Sequence, residues 1–169
     1  MNSAYDTVDH LAALQSARKR LLAVIEELDE AAGERVVHGE WRVRDLLTHL
    51  AAWDQLTLDF LRDVAGGQRT FEVTASPDAD WAAWNAAQVE AGRTAGVAGA
   101  APSLEERARH LDATRDALMD AVYAIDRAHL ELPLLAPWGF EDTVLGHLLA
   151  QAVHDAMHTD QIIEVLARH

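Results

Sequence analysis

The chain has 169 residues, half of them hydrophobic and a quarter charged, enough for one sizeable core and little more than one domain. Fourteen basic against 28 acidic side chains leave a net charge of −14, so phosphate backbones and anionic bilayers would be repelled, which argues against nucleic acid or membrane as partners. There is no cysteine, which removes disulfides, thiolate zinc sites, iron–sulfur clusters and a cysteine nucleophile, and means that any thiol chemistry must import its thiol.

Apolar periodicity divides the chain into long helices. The first is expected over 5–31, where Leu11, Leu14, Leu21, Ile25 and Leu28 recur at threes, fours and sevens on one stripe. The second, over 43–65, carries Leu46, Leu50, Trp53, Phe60, Leu61 and Val64. A long connection follows, 66–102, holding a short helical candidate at 78–92 with Trp81 and Trp84, and then the Ala/Gly-rich linker 95–101. Ser103 with Glu106 three residues on predicts a capping box for the third helix, along which Leu104, Leu111, Leu118 and Ile125 repeat every seventh residue. The last helix is expected over 141–167 on an arc of Val144, Leu145, Leu148, Leu149, Ala152, Ile162, Ile163 and Leu166. All four prolines fall between helical stretches, no strand pattern stands out, and no solenoid period is present. The expected architecture is an all-α four-helix bundle with a long connection between its second and third helices, a single domain over 1–169.

The sharpest chemical signal is His154-Asp155-Ala156-Met157-His158, because histidines four apart on a helix stand one above the other and can point at one ion. A third ligand must come from another helix. His49 is the candidate, an imidazole placed within the apolar arc of the second helix among Leu46, Leu50 and Trp53. Three nitrogens on facing helices leave open positions for water or substrate, as catalytic metal sites do. Short motifs of this kind also arise by chance in a chain with nine histidines. His147, seven residues before His154, is a further ligand or supporting group. Asp45, one turn before His49, could accept an imidazole proton, or could simply favour the positive end of its helix. Trp41 and Trp53 are expected in the core, whereas Trp81 and Trp84 could line a substrate mouth. His10, His38, His110, His129 and His169 take no role. There is no P-loop, dinucleotide-type glycine fingerprint, GxSxG elbow or HExxH, so kinase, dehydrogenase, hydrolase-elbow and zincin readings have no support.

The stretch from Trp41 to Asp54 resembles the tryptophan-led second helix of the DinB-like (DinB/YfiT-type) superfamily, with His49 at its histidine. His154-Asp155-Ala156-Met157-His158-Thr159-Asp160-Gln161-Ile162 resembles the superfamily's closing HxxxHxxQI signature. The resemblance covers nearly the whole chain, more loosely in the middle third. It implies a four-helix bundle in which His49, His154 and His158 hold a divalent metal, often zinc or nickel, and a protein that is often a homodimer. Arg42 departs from the serine or threonine that often caps the second helix in relatives. Known activities include transferases and isomerases using a low-molecular-weight thiol, and relatives that hydrolyse or sequester toxic small molecules.

The expected function is therefore a divalent-metal-dependent enzyme acting on a small electrophile, with three histidines activating a thiol cosubstrate. The alternatives are a metal-dependent hydrolase and a small-molecule-binding self-protection protein of the same fold. No apolar run approaches the ~18 residues of a membrane span, and the first ten residues lack the basic and apolar regions of a signal peptide, so a cytoplasmic protein is expected.

Overall fold

The first helix, α1 (Ser3–Glu26), buries Leu14, Leu21 and Ile25. A computed structural model describes residues 3–69, 81–94 and 101–168 of the chain. The expected continuation of α1 to residue 31 fails because Asp29 restarts the chain: its carboxylate accepts the Ala32 N–H at 2.7 Å and caps a single turn, α2 (Glu30–Gly33). A tight hairpin of β1 (Val36–His38) and β2 (Trp41–Arg42) then turns through Gly39, whose φ of 56° suits glycine. It leads directly into α3 (Val43–Ala65).

The short helix of the connection is α4 (Trp81–Thr94); its expected start at 78 and most of the 95–101 linker lie outside the described residues. Next comes α5 (Leu104–Ala124), which has the expected capping box, the Ser103 hydroxyl accepting the Glu106 N–H and the Glu106 carboxylate the Ser103 N–H. The chain ends with α6 (Arg127–Leu130), the strands β3 (Pro133–Leu135) and β4 (Glu141–Thr143), and α7 (Val144–Ala167). Two hairpins therefore stand where no strand was expected; segments this short cannot display an alternating pattern. The last helix begins at Val144, because the Thr143 hydroxyl caps it by accepting the Gly146 N–H at 3.0 Å.

The chain is a four-helix bundle, built from α1, α3, α5 and α7. Arg18 pairs with Asp155 and Arg20 with Asp160, so α1 and α7 run parallel. Arg107 bonds Thr48 and Arg115 pairs with Asp54, so α3 and α5 also run parallel. This explains the long connection: α3 has 23 residues, and a parallel neighbour can begin only after the chain has travelled back about 35 Å. Part of that return is α4, which packs along α3.

The order helix, single turn, hairpin, helix thus occurs twice, and the correspondence reaches individual buried side chains. Leu14, Arg18 and Leu21 of α1 match Leu111, Arg115 and Leu118 of α5, while Val43, Leu47, Ala51 and Asp54 of α3 match Val144, Leu148, Ala152 and Asp155 of α7. The two arginines and two aspartates meet at the centre, all at most 3% exposed. Arg18 binds Asp155 through Nε and Nη2 at 3.1 and 3.0 Å, and Arg115 binds Asp54 through the same atoms at 3.1 and 2.8 Å. Each guanidinium also reaches the other aspartate, and donates to a backbone carbonyl of the other arginine's helix: Arg18 to Leu111 O at 2.9 Å, Arg115 to Leu14 O at 3.0 Å. This charged layer separates two apolar clusters, one around Leu14, Leu58 and Leu118, the other around Leu21, Leu50 and Leu111.

Candidate metal centre

His49 lies at the edge of the buried arc of α3 and is 3% exposed. Across the junction with α7, the four-residue spacing stacks His154 and His158 on one face. The Nε2 atoms of His49 and His158 each lie 2.9 Å from the Nε2 of His154. One nitrogen from each ring falls within 4.8 Å of the others, and the His49 ring stands nearly perpendicular to both partners, at 87° and 88°. Burial, and then the neighbouring imidazoles, push His49 down to about 2. The same causes bring His154 to about 3, and burial lowers His158. All three are therefore neutral at pH 7, the form that offers a lone pair to a cation.

His158 Nδ1 donates to Gln161 Oε1 at 2.8 Å, which leaves its Nε2 lone pair facing the other two rings. Neutral nitrogens brought this close satisfy one another only in part, since each N–H can serve one lone pair. The donor set fits a divalent ion of the zinc, nickel or copper group, which prefers imidazole, and a single cation would satisfy all three nitrogens at once.

Around the cluster stands a wall of tryptophans. Trp41 lies 5.0 Å from His49, centroid to centroid, and Trp53 lies 5.7 Å from His154 and 6.4 Å from His49. Trp81 and Trp84 of α4 pack on Trp53 at 4.9 and 5.4 Å, and Trp53 Nε1 donates to Asn85 Oδ1 at 3.0 Å, so α4 is fastened over this side of α3. A cavity of about 210 Å³ opens beside His154, bounded by Trp53, Trp138, Phe140, His147 and Gln151.

The other expected residues are placed differently. Asp45 does not approach His49: its carboxylate receives Nε and Nη2 of Arg93 at 3.2 and 2.8 Å and the Arg42 N–H at 3.0 Å. Burial works against the charge, but these donors hold the Asp45 carboxyl below its usual range. It therefore braces the start of α3. Arg42 has no side-chain acceptor with which to cap that helix, so Asp45 supplies half of a capping box. His147 does not join the cluster; its Nδ1 accepts from Trp138 Nε1 at 3.3 Å and its ring lines the small cavity. Trp81 and Trp84 reach the centre through Trp53.

Sequence reasoning placed Trp53 in the core, on which it does pack while also facing the histidines, gave Gln161 no role beyond its place in the closing motif, and overlooked the charged layer. A signal existed for each: Gln161 stands three residues after a candidate ligand, and Arg18 and Arg115 interrupt apolar stripes where only a paired cation is tolerated.

The model of the DinB superfamily matches residues 8–162. The chain belongs to this superfamily. Among solved structures, this DinB-superfamily bundle is similar to a mycothiol-dependent maleylpyruvate isomerase, with 13% identity and a TM-score of 0.72 over 92% of this chain; it spans 60% of the isomerase's length. It is also similar to TT2238, described as a four-helix bundle protein, with 23% identity and a TM-score of 0.64 over 94% of this chain and 98% of that one. At these identities the likeness establishes the fold alone. No curated protein matches the chain in sequence. Among the described residues no helix is long and apolar enough to cross a membrane.

Proposed function

We propose that the protein is a divalent-metal-dependent enzyme that uses a low-molecular-weight thiol to transfer to, or isomerise, a small electrophilic molecule. The observation that carries this reading is the convergence of the His49, His154 and His158 nitrogens in a neutral, largely dry setting. These three side chains would hold the ion, zinc or nickel. When bound there, such a metal supplies Lewis acidity that lowers the pKa of a thiol into the neutral range. The chain has no thiol of its own, and the isomerase it resembles is described as mycothiol-dependent. Gln161 keeps the His158 ring turned inward. Trp53 and Trp138 would exclude water from the small cavity and favour a flat or apolar substrate there, with His147 on its wall. Trp81 and Trp84 would support Trp53 from outside.

The alternative, a hydrolase or a self-protection protein that binds a small molecule without thiol, would use the same cluster and cavity. The protein is proposed to work in the cytoplasm, with neither nucleic acid nor membrane as partner. It is proposed to form a homodimer, supported by the exposed apolar stripe Leu149, Val153 and Met157 on α7.

Elemental analysis and thermal unfolding test the metal. Near-stoichiometric zinc or nickel is expected in the purified protein and in neither His49→Ala nor His158→Ala. Adding metal at one hundred times its Kd should stabilise the wild-type chain by about 2.7 kcal/mol and leave both variants unmoved. Unchanged metal content in the variants would reject the ligand set. Turnover in thiol-free buffer would replace the transferase reading with the hydrolase.

A further inference from the structure

A second, larger cavity of about 700 Å³ runs along the other side of α4, between α3, α4 and α5, and shares no residue with the histidine cluster. Its size is that of a pocket for a small organic ligand. Ala51, Ala52 and Leu56 of α3 make one wall, and Trp84 and Ala91 of α4 another. At one end sits Arg107 of α5, only 5% exposed.

The bonding of Arg107 is unlike that of the other buried arginines. Its Nε donates to Pro102 O at 3.3 Å, Nη2 to Gly92 O at 3.0 Å, and Nη1 to the Thr48 hydroxyl. All three acceptors are neutral, and all belong to residues that line the cavity. Among the described residues it makes no ion pair, whereas Arg18 and Arg115 each hold two carboxylates. Of the five N–H groups of a guanidinium, two are left over. Burial disfavours its charge, as do the nearby Arg44 and Arg93, while Asp45 and Glu34 favour it from beyond ion-pair distance; a buried cation whose direct partners are all neutral oxygens is stabilised further by an anion. A Cβ at Gly92 would collide with the Thr48 side chain, so α4 is seated close enough for its carbonyl to reach the guanidinium.

The acidic groups on the lining do not serve as that anion. The Glu106 carboxylate is committed to the Ser103 N–H. Asp59 lies at the opposite end, about 16 Å along α3 from Thr48, where it receives Gln55 and Arg62.

We propose that this cavity is a binding site for an amphipathic organic anion, its carboxylate or sulfonate at Arg107 and its apolar or aromatic body along Ala51, Ala52, Leu56 and Trp84. The site is independent of the metal centre. The probe is 8-anilinonaphthalene-1-sulfonate, beside the uncharged N-phenyl-1-naphthylamine, which has the same aromatic frame without the acid. One anionic probe should bind per chain, and 1-naphthoate should displace it where 1-naphthylmethanol does not. Arg107→Met should weaken the anionic probe at least tenfold and the neutral one little. Ala52→Trp, which fills the cavity from a half-buried position, should abolish both and keeps the test decisive if the arginine variant does not fold. Chelation and His158→Ala should leave binding unchanged. Equal affinity for the anionic probe in wild type and Ala52→Trp, or in wild type and a folded Arg107→Met, would overturn the proposal; loss of binding on chelation would transfer the probe to the metal centre and overturn it equally.

Discussion

The two halves of the bundle, α1 through α3 and α5 through α7, share their architecture and their central charges but not their chemistry. Asp54 and Asp155 occupy matching positions, as do Arg18 and Arg115. In the same alignment His49 faces Ala150, Trp53 faces His154 and Thr57 faces His158. The first half thus contributes one imidazole and an aromatic plate, and the second contributes two imidazoles, all at the junction where α3 and α7 cross in opposite directions. What is symmetric here sets the geometry of the scaffold, and what is asymmetric makes the site.

The charged layer offers the largest effect. Asp54→Ala and Asp155→Ala should each lower stability by about 3–5 kcal/mol, because each leaves two buried guanidinium groups sharing one carboxylate. The two losses should be similar, and the double variant should cost less than their sum because all four groups share one network. Urea unfolding measures this; a large loss at one aspartate and none at the other would break the equivalence of the halves.

An intermediate effect is expected from the unsymmetric part. In metal-free protein His49 has been brought from 6.5 to about 2, so between these values the unfolded chain binds a proton that the folded chain does not. Stability owed to the neutral group is complete above pH 6.5 and is lost as pH falls, by up to about 1.4 kcal/mol per pH unit. Replacing it by His49→Gln should flatten the acid limb of the stability–pH curve, followed by unfolding at pH 7, 6 and 5. Ala150→Gln, the matching position in the second half, should leave that limb as it is.

The smallest effect concerns the helix starts. Thr143 caps α7 and Arg42 occupies the matching place before α3. Thr143→Ala should cost about 1 kcal/mol. Arg42→Thr should gain up to about 1 kcal/mol, less whatever the exposed Arg42–Glu34 pair contributes. A loss in both variants would mean that the arginine contributes more through Glu34 than a hydroxyl does through the cap.

Much of the fold was legible because helices announce themselves through spacing and caps: the stripes of α1, α3, α5 and α7 and the Ser103–Glu106 box are present, except that Leu28 falls beyond α1 and Leu149 and Ile163 of the expected last arc are exposed. The hairpins were not, since two or three residues leave no period to detect. The juxtaposition of His154 and His158 follows from one turn of helix, and that of His49 with them from its place on an apolar arc. Of the two readings of Asp45, the structure has the one at the start of its helix, while its partner Arg93 was not foreseen because it belongs to an inserted helix whose position no local pattern specifies. Arg107 escaped notice for the same reason: its acceptors, apart from the nearby Pro102 carbonyl, come from α3 and α4.

The pairing pattern at the centre has a consequence for assembly. Arg18 reaches Asp54 within the first half at 3.1 Å, and Arg115 reaches Asp155 within the second at 3.2 Å, so the buried arginine of each helical hairpin has an aspartate of its own before the hairpins meet. Docking in register converts two isolated couples into a closed ring of four. Sliding one hairpin by a turn would press each couple against leucine instead, so misregistered encounters are penalised even though the oily surfaces would accept them.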